Sequence, residues 1–72
     1  MDPAQPAEVV VNGVSQAWEA GQTVASLLER RDAAGPGVAV ERNGAVVRRR
    51  DHESTPVEPG DRIEIVRLVG DG

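Results

Sequence analysis

Short apolar runs broken by turn-forming pairs set the rhythm of this chain. Glu8-Val9-Val10-Val11 leads into Asn12-Gly13 and then Val14-Ser15-Gln16-Ala17-Trp18; Val38-Ala39-Val40-Glu41-Arg42 leads into Asn43-Gly44 and then Ala45-Val46-Val47-Arg48. An Asn-Gly pair between two β-prone runs predicts a hairpin, because both central residues of the tight turn need φ > 0. Val9, Val11 and Trp18 are then expected to face inward. Between the hairpins, Val24, Leu27 and Leu28 recur at helical spacing behind Thr23, a favourable N-cap. The third helical position is Ser26, so the Glu-containing capping box is missing. Arg30 and Arg31 suit the negative end of the helix dipole. Gly35-Pro36-Gly37 is expected to end a helix of about 8 to 11 residues, too short to be stable without a sheet to pack on. Thr55-Pro56-Val57-Glu58-Pro59-Gly60-Asp61 reads as loop. Arg62-Ile63-Glu64-Ile65-Val66-Arg67-Leu68 alternates strictly and predicts a last strand with Ile63 and Ile65 on one face, Val66 and Leu68 on the other.

Hairpin, helix, hairpin, turn and strand give an α+β domain in which the helix covers one face of a single sheet, since nothing else can bury its stripe. The helix is predicted to pack through Val24, Leu27 and Leu28 on Val9, Val11, Val40, Ile63 and Ile65. Residues 1–7 read as a loose leader, 8–68 as the domain, and 69–72 as a tail. At 72 residues such a chain buries only about 60% of its unfolded surface. That leaves little room for a core and a deep substrate pocket together, which argues against a stand-alone enzyme.

Composition narrows the chemistry. Cysteine is absent, which removes disulfides, thiolate metal sites and thiol nucleophiles. All eight basic residues are Arg, and without Lys there is no Schiff base and no phosphate-loop lysine. A net charge of −4 and a single aromatic residue, Trp18, speak against nucleic acid. No stretch has the length of a membrane span, and the N-terminal residues lack a basic region with an apolar run; a cytoplasmic location is expected. His52 lies between Asp51 and Glu53, but adjacent strand residues diverge and no second His or Cys exists, so no metal is expected. Arg48-Arg49-Arg50, with Arg42 across the hairpin, is expected to form a basic patch, read first as solvated surface, then as a docking contact for an acidic partner surface, and last as an RNA contact. No serine has a positioned base, so no catalytic residue is assigned.

The tail offers the other candidate. Val69-Gly70-Asp71-Gly72 follows the last strand and reaches at most about 13 Å when extended at ~3.3 Å per residue. It reads either as ordinary terminal fraying or as a thin arm bearing an α-carboxylate for modification in a narrow channel. Val66 and Leu68, on the face away from the helix, form a candidate docking patch beside it.

Taken in order, Val11-Asn12-Gly13, Gly21-Gln22-Thr23-Val24 with Leu27-Leu28, Gly37-Val38-Ala39-Val40-Glu41-Arg42-Asn43-Gly44, Val46-Val47 and Gly60-Asp61-Arg62-Ile63-Glu64-Ile65-Val66 resemble the thiamine-biosynthesis sulfur carriers, the ThiS family of ubiquitin-like β-grasp proteins. The resemblance implies a mixed sheet of four to five strands packed against one main helix. It implies a carrier rather than an enzyme, whose Gly72 carboxylate is adenylated by a ThiF-like enzyme using ATP and converted to a thiocarboxylate. The sulfur comes from a donor such as a cysteine desulfurase and passes to thiazole synthase (ThiG-like). Val69, Gly70 and Asp71 are then the threaded tail, and no cofactor is bound by the chain itself. Arg48 and His52 stand where family members often carry Pro and Trp. Asp71 stands where the family normally has Gly. This leaves room for a cognate activating enzyme that accepts Asp, a carrier for a molybdopterin-like or natural-product pathway, or a non-conjugating β-grasp interaction module that binds through Val66, Leu68 and the arginine patch.

Overall fold

The computed structural model describes residues 7–68. Five strands, β1 (Glu8–Val11), β2 (Val14–Ala17), β3 (Val38–Arg42), β4 (Ala45–Val47) and β5 (Arg62–Arg67), form one sheet in the order β2-β1-β5-β3-β4. The central pair β1 and β5 is parallel; every other neighbour is antiparallel. Helix α1 (Val24–Arg30) supplies the crossover and covers one face. This is the β-grasp arrangement, with both hairpins where the Asn-Gly pairs place them. Asn12 (φ 50°) with Gly13 (φ 82°), and Asn43 (φ 55°) with Gly44 (φ 87°), both carry the positive φ that the turns require.

The core joins Val24, Leu27 and Leu28 of the helix to Val9, Val11, Val40 and Ile63 of the sheet. Ile65 and Trp18 are half-buried against it. Val57 is fully part of the core although its Pro-flanked segment reads as loop. The Trp18 indole N–H donates to the Val57 carbonyl (2.6 Å), and the Val57 N–H donates to the Gln22 carbonyl (2.9 Å), so the loop is pinned over the core.

Both helix ends differ from the sequence expectation. A capping box is present after all, because a serine hydroxyl replaces the carboxylate: the Ser26 N–H donates to Thr23 Oγ1 (3.2 Å) and the Thr23 N–H donates to Ser26 Oγ (2.9 Å). The two preceding helix N–H groups, of Val24 and Ala25, donate to the carbonyls of Thr55 and His52 (both 2.9 Å), so this end has no orphan donors. At the other end α1 spans seven residues, fewer than expected, and stops before Gly35. Asp32 takes the left-handed conformation (φ 56°); its N–H donates to the Glu29 carbonyl (3.1 Å) and the Ala33 N–H to the Leu28 carbonyl (2.8 Å). That pair of bonds is a Schellman motif, closed here by Asp rather than Gly.

His52 is not in a strand. It follows a 3-10 turn (Arg49–Asp51), is 8% exposed, and donates from Nε2 to the Val47 carbonyl (3.1 Å). Among the described residues no three of His, Cys, Asp and Glu come together as a metal site, and no helix is long and apolar enough to cross a membrane.

Candidate functional site

The last strand carries the candidate site, and its two ends are built differently. At its start Asp61, only 5% exposed, collects hydrogen bonds from Arg42 Nε (2.7 Å), Asn43 Nδ2 (3.0 Å) and the Glu58 N–H (2.8 Å). Burial alone would raise the Asp61 pKa. The hydrogen bonds from Arg42, Glu58 and Asn43, with the positive charge of Arg42, outweigh it and hold the carboxyl below its ordinary value. Arg42 is held in its charged form in turn, chiefly by the hydrogen bond it donates to Asp61. This engagement corrects the expected basic patch: Arg42 faces Asp61 and Glu58, not the Arg48-Arg49-Arg50 run. β4 ends at Val47, and the three following arginines lie exposed at and within the 3-10 turn.

Toward its exit β5 is gripped from both sides. On one side Asn12 continues the parallel ladder with its side chain: the Ile65 N–H donates to Asn12 Oδ1 (2.7 Å), and Asn12 Nδ2 donates to the Ile65 carbonyl (3.3 Å). On the other side the Leu68 N–H donates to the Gly37 carbonyl (2.5 Å). Gly37 has φ 79°, and a Cβ there would sit 3.3 Å from the Leu68 carbonyl oxygen, so this close approach favours glycine. The point at which the chain leaves the sheet is therefore fixed, and it lies in the central strand. Sequence reading treated Asn12 and Gly37 only as turn residues. Their second role depends on partners distant in sequence, 53 residues away for Asn12, and no local pattern signals it.

The face away from α1 is open. Val66 (53% exposed) pairs directly with Ala39 of β3, Leu68 (59%) follows one residue past the strand, and Val46 (71%) lies on β4 opposite Glu41. Val66 and Leu68 are thus placed as accessible apolar groups at the exit of β5. Val69, Gly70, Asp71 and Gly72 lie outside the described residues.

The ThiS family model matches residues 3–72. The chain belongs to the ThiS family. ThiS-like architecture is equally evident in three dimensions. A crystal structure of the thiamine biosynthesis protein ThiS from Geobacter metallireducens superimposes with a TM-score of 0.75 at 31% identity, covering 90% of this chain and 99% of that one. A solution structure of a thiamine biosynthesis protein from the same organism gives 0.70, also at 31% identity, covering 90% and 87%. The ubiquitin-like β-grasp fold is thereby shown. Among curated proteins, thiazole synthases of Paramagnetospirillum magneticum (35% identity) and Magnetococcus marinus (38%) align over 65 residues, 90% of this chain. The chain spans about a fifth (20%) of the length of those two relatives.

Proposed function

We propose that this protein is a sulfur carrier of thiamine biosynthesis, a consumed and regenerated protein cosubstrate whose Gly72 carboxyl carries the sulfur. The supporting observation is the ThiS-family match along residues 3–72 together with a β5 exit fixed at the sheet centre. A carboxylate is unreactive toward sulfur nucleophiles until one oxygen becomes a good leaving group. In this reading a ThiF-like enzyme supplies that: a Gly72 carboxylate oxygen attacks the α-phosphorus of ATP and pyrophosphate leaves. The outer sulfur of a persulfide charged by a cysteine desulfurase then attacks the acyl carbon and displaces AMP, giving an acyl disulfide. A thiol attacks the inner sulfur of that S–S bond, becoming a disulfide and releasing the Gly72 thiocarboxylate. ATP is a substrate of the activating enzyme, and the carrier itself binds no cofactor.

The body of the domain contributes placement. Val69, Gly70 and Asp71 are the segment threaded into the partner, and Val66 with Leu68 is the surface that docks. Thiazole synthase is the proposed acceptor. In the two curated relatives of that name, a segment aligning with this chain shares one polypeptide with the remaining four fifths, which supports a contact between the two parts.

Asp71 favours a second reading. It places a side chain and a negative charge where the family pattern has Gly, next to the carboxylate to be activated. If the activating channel is dry and glycine-sized, this chain is an unconjugated interaction module. Intact mass spectrometry after incubation with activating enzyme, ATP and a sulfur donor separates the readings. The carrier reading predicts exchange of one oxygen for sulfur in the wild type and none after deletion of Gly72. Conversion of Asp71→Gly alone, with the wild type inert, would establish the module instead.

A further inference from the structure

The open face holds a charge arrangement that the fold does not need. In the β3–β5 register Glu41 lies directly opposite Glu64, so the two carboxylates emerge side by side on the face away from α1. Directly opposed like charges weaken a sheet. Neither carboxylate enters an ion pair among the described residues, whereas Glu19, Glu58 and Asp61 each pair with an arginine. Arg62, two residues before Glu64 on the same strand, shares that face, and it too makes no ion pair among the described residues. Apolar side chains border the carboxylates: Val46 lies opposite Glu41 on one side, the Val66–Ala39 pair forms the next row toward the strand exit, and Leu68 lies one row beyond that.

We propose that Glu41 and Glu64 together receive one lysine or arginine side chain of thiazole synthase, with Val46, Val66 and Leu68 making the apolar seat around it. This rests on the sulfur-carrier reading and adds to it the chemistry of the partner's contact. Two adjacent carboxylates present four acceptor oxygens, which suits an ammonium or a guanidinium fork. Burying that cation beneath an apolar rim strengthens the attraction, and the net charge of −4 steers the carrier toward a basic surface. The partner's cation relieves the mutual repulsion that the two carboxylates exert in the free carrier. The pair thus reports docking as a trade of the carrier's own stability for association.

The test uses the full chain and thiazole synthase from the same source. Binding is followed by titration at two salt concentrations, and thermal midpoints are recorded for each carrier. For the double substitution Glu41→Gln with Glu64→Gln we expect a thermal midpoint about 2 °C higher, affinity weaker by roughly tenfold and a flatter salt dependence. Glu64→Lys should weaken binding further still. A double variant that binds within about twofold of the wild type overturns the inference, as does one that loses affinity together with thermal stability. If Val66→Asp abolishes binding while the glutamine pair binds normally, the docking surface stands and the charge pair falls. If the wild-type carrier does not bind thiazole synthase at all, the acceptor assignment itself fails.

Discussion

The two ends of β5 are six residues of one strand built for opposite purposes. At its start Asp61 and Ile63 are buried, the Asp61 carboxylate pairs with Arg42, and each of its oxygens has a donor. At its exit the backbone is held by Gly37 while the side chains of Val66 and Leu68 face outward, more than half exposed. The first end holds the sheet together. The second end presents apolar surface that the fold leaves uncovered. In the proposed reading stability and delivery are separated along a single strand, and substitutions should separate them too.

The largest expected loss of stability is at the buried end. Ile63→Ala removes a side chain with no exposed surface from the centre of the core and should cost about 3 to 4 kcal/mol in denaturant unfolding, a large share of the margin of a domain this small. Asp61→Ala strips three donors of their acceptor, Arg42 among them, and is expected to cost about 2 kcal/mol. Asn12→Ala should cost about 1 kcal/mol, through the turn and the Ile65 pairing, with faster amide exchange at Ile65 as its local signature. Val66→Asp, at the exposed end, is expected to change stability by less than about 0.5 kcal/mol while abolishing sulfur transfer to the acceptor. Equal effects of Ile63→Ala and Val66→Asp on the unfolding midpoint would erase the contrast.

Acid should sharpen it further. The Asp61 carboxyl titrates below its unfolded value in the folded chain, so its contribution is complete above the ordinary Asp pKa of about 3.9 and is lost as pH falls through the depressed folded value. Thermal midpoints of the wild type should therefore decline in that acidic window. In Asp61→Asn that component of the decline should be missing.

Much of this division was legible in the sequence. The Asn-Gly pairs set the hairpins because only a narrow choice of residues tolerates two consecutive positive φ values. The strict alternation of β5 separated Ile63 and Ile65 from Val66 and Leu68. What escaped was whatever depended on distant partners or on one functional group standing in for another. Ser26 completes a capping box that a search for Glu misses, and Asp32 closes the helix where Gly is the usual signal. Val57 joins the core from a polar loop because Trp18 and Gln22 anchor its backbone. Arg42 looked like part of a basic patch until the start of β5 supplied Asp61. The apolar exit of β5 was visible from alternation, but the Asn12 and Gly37 contacts that fix it were not.

The central claim is that the carboxyl of Gly72 is the working group and that the folded domain delivers it. A carrier with that carboxyl blocked as the amide should retain the wild-type unfolding midpoint, and in a reconstituted thiazole-forming reaction it should give no product. Undiminished product formation by the amidated chain would contradict the account.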